Sequence, residues 1–115
     1  MGSEATPTLC VMSADPSLRR SLARWVNERA SLRFVVKEID SLSDMPVACV
    51  VLTTAADCSP VRAAALVQRG CRIIVVAAYP SDMARKEYEA AGASYLAMSS
   101  DTGPLETAVL AAIPS

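Results

Sequence analysis

Two threonines, Thr53 and Thr54, close the apolar run ACVVLT, at the place where a buried parallel strand delivers side chains to the mouth of an α/β site. A hydroxyl there becomes a nucleophile only beside a base. The chain contains no histidine, and no acid or lysine stands within two residues of the pair. The acids nearest to that edge are Asp15, just after the first apolar run, and Asp57, three residues beyond Thr54. Asp15 precedes Pro16 and reads as a helix N-cap; Asp57 reads as a loop or turn residue. Metal-assisted chemistry needs converging carboxylates, which one acid per turn does not supply.

Phosphate and nucleotide sites are disfavoured for a related reason. They need a glycine-rich turn that lets backbone N–H groups approach the phosphate. Gly2, Gly70, Gly92 and Gly103 are the only glycines, and none follows the first strand. Ser13 and Ser17 only weakly echo a flavin phosphate loop. The four cysteines, Cys10, Cys49, Cys58 and Cys71, have neither CxxC nor metal-ligand spacing and fit reduced core thiols, pointing to a cytoplasmic protein. A net charge of −1, from 11 basic and 12 acidic residues, excludes a phosphate-binding stripe and hence direct nucleic-acid contact. Arg20, Arg24 and Glu28 step along one helix at i, i+4 and i+8, the spacing of a solvated face. No apolar run approaches a membrane span, and no signal-peptide pattern opens the chain.

The scaffold that positions these residues is legible as five strand-like runs, TLCVMS (8–13), LRFVV (32–36), ACVVLT (48–53), RIIVVAA (72–78) and SYLAM (94–98). The middle three are continuous rather than alternating, as strands covered on both faces are. Helices are expected between most of them. One follows Asp15-Pro16 over 16–29, with Leu18, Leu22, Trp25 and Val26 on its apolar face. A second opens at Ser59-Pro60 and closes at Gly70. Ser81 caps a third that ends at Gly92, and Pro104 starts the last, with Leu105, Ala108, Val109 and Ala112 on one side. Only Lys37 to Pro46 separate the second and third runs, too few for an ordinary crossover, so the second helix of the series is expected to be shortened or missing. Residues 1–7 are expected to form a disordered tail and residues 8–115 one domain. Strand and helix in alternation predict a parallel sheet with right-handed crossovers.

With those elements in place, the segment RIIVVAAYPSDMARKEYEAAGASYLAMSSDTGPLETAV resembles the receiver domain of two-component response regulators, and CVMSADPSLRRSL resembles the receiver's first strand and helix. The likeness runs over about residues 8 to 113. It implies a flavodoxin-like, doubly wound five-stranded parallel sheet of order 2-1-3-4-5 with helices on both faces. Receivers that accept phosphate carry an acidic pair after the first strand, an aspartate ending the third, a hydroxyl ending the fourth and a lysine ending the fifth. On this chain those positions are Ser13 and Ala14, Thr53, Ala77 and Met98, and all depart from the pattern. Only the switch aromatic matches, as Tyr95; without a hydroxyl at Ala77 to draw it inward, it reads as a packing residue.

The resemblance therefore implies a degenerate receiver: neither an enzyme nor a binder of metal or cofactor, but a regulatory module that meets a protein partner or a second copy. The face receivers use, made by their fourth helix, fifth strand and fifth helix, would carry Met83, Lys86, Glu87, Tyr95, Glu106 and Val109. The chain is expected to be a stand-alone adaptor or a regulatory domain excised from a longer protein. A small-molecule sensor using the vacated acidic pocket around Ser13, Thr53, Thr54 and Ala77 is the alternative.

Overall fold

Strands too apolar to face water on either side must be sandwiched, and the chain does this with helices. A computed structural model describes residues 8–28, 35–39, 49–98 and 103–112. Along the chain run β1 (Thr8–Met12), α1 (Pro16–Glu28), β2 (Val35–Ile39), β3 (Val50–Thr54), α2 (Pro60–Gln68), β4 (Arg72–Ala77), α3 (Asp82–Ala90), β5 (Ser94–Ala97) and α4 (Gly103–Ala111). All strand pairs are parallel and the order is β2-β1-β3-β4-β5, the flavodoxin-like arrangement expected from the sequence. The receiver's fourth helix, fifth strand and fifth helix correspond here to α3, β5 and α4.

Alternation along the strands divides the interior into two cores. Cys10, Cys49, Val51, Ile73 and Val75 meet Ala63 and Leu66 of α2 and Tyr88 of α3 on one face. Leu9, Val11, Val50, Leu52, Ile74 and Val76 meet Ala23 and Val26 of α1 and Val109 and Ala112 of the α4 segment on the other. All four cysteines are buried thiols outside any disulfide. The Cys49 thiol is held far above its ordinary pKa by its hydrogen bond with Cys10 and by burial, and burial also raises Cys58. Cys49 and Cys58 are thereby inert core thiols, whereas the hydrogen bond with Cys49 and the Lys37 charge lower the pKa of Cys10, which is buried beneath the sheet.

Helix ends follow the local chemistry. Ser59 accepts from the Arg62 N–H ahead of Pro60, and Ser81 accepts from the Ala84 N–H. Asp15 Oδ1 accepts from the N–H groups of Ser17 at 2.9 Å and Leu18 at 3.3 Å, so its carboxylate serves as the α1 cap. Arg20, Arg24 and Glu28 are exposed, as a solvated face requires.

Two expectations shift. The second strand, expected at 32–36, runs on to Ile39 as Val35–Ile39, with 32–34 outside the described residues, and it is an edge strand with Val35, Lys37 and Glu38 exposed. Pairing sets this register: Ile39, its one buried residue, stands beside Met12. Lys37 to Ile39, assigned to the connection from sequence, thus belong to the strand. The remainder of the expected vestigial helix and the tail at 1–7 lie outside the described residues.

Gly92, after α3, has φ +93°, and a Cβ there would stand 3.1 Å from Val67 Cγ1 of α2. Gly92→Ala therefore combines a left-handed backbone with a tight contact, and it should lower unfolding stability by about 1–2 kcal/mol in a denaturant titration.

Candidate functional site

At the C-terminal edge of the sheet, the residues singled out from the sequence converge, but their polar groups are engaged with one another. Thr53 is fully buried, and its hydroxyl donates to the Met12 carbonyl on the neighbouring strand at 2.9 Å. Its oxygen points at backbone rather than at solvent. Ser13 is also fully buried; its hydroxyl oxygen accepts from the Asp15 N–H at 3.1 Å, and its own N–H donates to the Ile39 carbonyl at 3.3 Å. Ala14 is exposed and Ala77 buried.

The acid at this edge is Asp57, in the β3–α2 loop. Its Oδ1 accepts from the Ala14 N–H at 2.9 Å, and its Oδ2 accepts from the Thr54 hydroxyl at 2.5 Å. The Asp57 N–H donates back to Thr54 Oγ1 at 3.2 Å and to the Thr54 carbonyl at 3.1 Å, closing a local turn. Burial pushes the Asp57 carboxyl upward, but the Ala14 N–H and the hydroxyls of Thr54 and Ser13 outweigh it and hold the pKa below the ordinary value. The carboxylate thus bridges the β1–α1 and β3–α2 loops across the mouth. Sequence reasoning placed Asp57 in a turn and gave it no role at this site. The Thr-x-x-Asp spacing was the available signal.

Beside it, Arg19 of α1 donates Nη1–H to the Ser13 carbonyl at 2.8 Å, with Nε 3.5 Å from Glu38 Oε1 on β2. No sequence pattern singled out this cation. Among the described residues, no group of three or more His, Cys, Asp or Glu converges to hold a metal ion. At the end of β5, Met98 is 42% exposed and donates its N–H to the Ala77 carbonyl at 2.8 Å.

Tyr95 is drawn inward although Ala77 offers no hydroxyl. It is buried, its ring stacks on Tyr88 with centroids 5.3 Å apart, and its hydroxyl oxygen accepts from the Ser81 N–H at 3.2 Å. The Arg85 guanidinium stands 5.9 Å from the ring centroid. Tyr88 in turn donates to the Cys58 carbonyl, tying α3 to the β3–α2 loop.

Of the candidate interaction face, Met83 is 75% exposed, Lys86 and Glu87 are exposed, and Glu106 is half-buried. Tyr95 and Val109 lie in the interior and present no surface. Tyr79, on the β4–α3 loop, is 94% exposed and was not singled out from the sequence. It precedes α3 in the chain, and its signal was an aromatic beside Pro80 in a loop.

No family model matches the chain, and no curated protein sequence matches it. Solved structures do, and those compared are chiefly response regulators. One from Thermotoga maritima aligns with a TM-score of 0.74 at 17% identity, covering 96% of this chain and all of that one, 100%. A response regulator from Burkholderia pseudomallei, solved with a phosphorylated aspartic acid, a calcium ion and citrate, gives 0.70 at 17% identity, covering 90% of this chain and 66% of that chain. A putative pilus assembly-related protein from Burkholderia pseudomallei gives 0.67 at 16% identity, covering 99% and 97%. At such identities the likeness establishes the fold.

Asp57→Ala should cost about 1–2 kcal/mol of stability at neutral pH, since two donors lose a charged acceptor. Because the folded pKa is depressed, this contribution is present above the unfolded carboxyl value of about 4 and disappears as pH falls through the folded value. Thermal melts of wild type and variant should therefore converge in acid.

Proposed function

We propose that the chain is a pseudo-receiver, a cytoplasmic module that regulates a protein partner without accepting phosphate. One observation carries this reading: where a receiver presents its acceptor carboxylate, Thr53 is enclosed and bonded to the Met12 carbonyl. An attacking group must reach phosphorus from an open edge, and a divalent ion needs a cage of hard oxygen ligands. Asp57 is spent on the Ala14 N–H and the Thr54 hydroxyl, and Met98 offers no cation to a phosphoryl oxygen.

The partner meets the α3 side, where Met83 and Tyr79 are exposed beside Lys86 and Glu87. Large exposed apolar side chains before and within a highly charged helix, DMARKEYEA, suit a protein contact. The inward Tyr95, held by Ser81 and Tyr88, gives this face one arrangement, so signalling depends on the partner's availability rather than on chemistry within the module. The likeness to a pilus assembly-related protein suggests surface-appendage assembly as one setting. The sensor reading that uses the vacated pocket is less well supported, because Asp57 occupies its donors.

Incubation with Mg²⁺ and acetyl phosphate should leave the intact mass unchanged and the amide shifts at Thr53, Thr54 and Asp57 unmoved. A phosphate adduct, or Mg²⁺-dependent shifts clustered at Asp15 and Asp57, would overturn the proposal. In a pull-down against the lysate of the source cell, Met83→Arg should weaken retention of any specific partner about tenfold or more while leaving the thermal melt unchanged.

A further inference from the structure

Away from the degenerate site, a cavity of about 290 Å³ opens on the other face of the sheet, between α1 and α4. We propose that it is a binding site for a small uncharged molecule with about two fused or linked rings, or an aliphatic body of similar bulk. The inference neither requires nor tests the pseudo-receiver reading, with which it shares only Met98 at the end of β5.

The cavity has a sequence cause. α4 places its buried residue, Val109, in its second half. Its first turn, Gly103-Pro104-Leu105, sends one large side chain toward the sheet, and Ala97 leaves space at the end of β5. Leu22 and Trp25 of α1 form one wall and Leu105 of α4 the other, over Val76 and Leu96. Leu22, Trp25, Leu96 and Leu105 are only half-buried. The fold thus keeps large apolar side chains from three elements, α1, β5 and α4, incompletely covered around one concave space.

Size and charge select the occupant. An apolar cavity of about 150 Å³ stays dry and takes benzene, so this one has room for about twice that body. Among the described residues that line it there is no charged side chain, and Ser21 at its edge supplies the one side-chain hydroxyl. A carboxylate or phosphate entering it would lose its hydration without a compensating cation, which is costly. A concave space of this volume, framed by side chains of α1, β4, β5 and α4, suits a small ligand better than the broad apolar contact of a second copy.

The test titrates ¹⁵N-labelled full chain with 2-naphthol and, separately, with 2-naphthoate. The naphthol should bind with a Kd on the order of 100 µM or tighter. It should move the amides of Leu22, Leu96, Met98 and Leu105 and the single indole N–H signal, from Trp25, the only tryptophan. The naphthoate should bind at least about tenfold more weakly, because its charge must be desolvated. Ala97→Leu, which fills the space, and Ser21→Phe, on an exposed helix position, should each weaken the naphthol at least about tenfold with the thermal melt retained. Having two such variants keeps the test valid if one fails to fold. Absence of binding up to the solubility limit, equal binding of the two probes, or naphthol binding indifferent to both variants would each overturn the proposal. So would shifts at these residues that follow protein concentration alone, since a second copy would then be the occupant.

Discussion

A residue at the end of a doubly covered strand has no water to turn to, and this constraint governs everything at the mouth of the sheet. Thr53 sits at such a point, and the only way to keep its hydroxyl there is to bond it within the protein. The Met12 carbonyl accepts it across the β1–β3 pair. A charged side chain at the same position would demand compensating partners of its own, and neither an acidic pair with its metal nor a lysine stands nearby. The absence of a carboxylate at position 53 and the absence of its customary neighbours are thus one physical fact rather than several independent losses.

The loops above that point still need to be tied down, because their backbone N–H groups have no strand to pair with. Asp57 does this from the β3–α2 loop, accepting from the Ala14 N–H of the β1–α1 loop and from the Thr54 hydroxyl at the end of β3. Arg19 caps the carbonyl of Ser13 on the same rim and balances Glu38. Further round, Tyr88 and Tyr95 form a stacked pair whose hydroxyls reach the β3–α2 loop and the start of α3. The edge is thus held by internal bonds that join the β1–α1 loop, the β3–α2 loop and the start of α3.

How much of this the sequence disclosed depended on the range of the interaction. The two-sided parallel sheet followed from uninterrupted runs such as VVLTT and RIIVVA and from the capped helices between them, whereas its strand order came from the likeness to receivers. The helix caps at Asp15, Ser59 and Ser81 are local chemistry and were legible residue by residue. The end of β2 was misplaced because an edge strand takes its register from its partner, here Ile39 beside Met12, and its own composition is mixed. Asp57 escaped because its partner at Ala14 lies 43 residues away, which no spacing rule encodes. Tyr95 was expected to pack but not to be anchored at Ser81, since nothing in SYLAM names that donor. Val109 read as surface by family likeness, although its helical periodicity, with Leu105 and Ala112, had already placed it inside.

The row of thiols beneath the sheet carries a separate consequence. Cys10, Cys49 and Cys71 lie on β1 and at the starts of β3 and β4, all on one face, and Cys58 is sealed beneath the loop that follows. Each is at most 5% exposed in the folded chain. An alkylating reagent can reach them only when the central strands part, so the rate at which mass is added under native conditions measures how often that happens. The protein carries its own clock for the opening of its core, and the same arrangement shields it from cellular electrophiles for as long as the sheet stays closed.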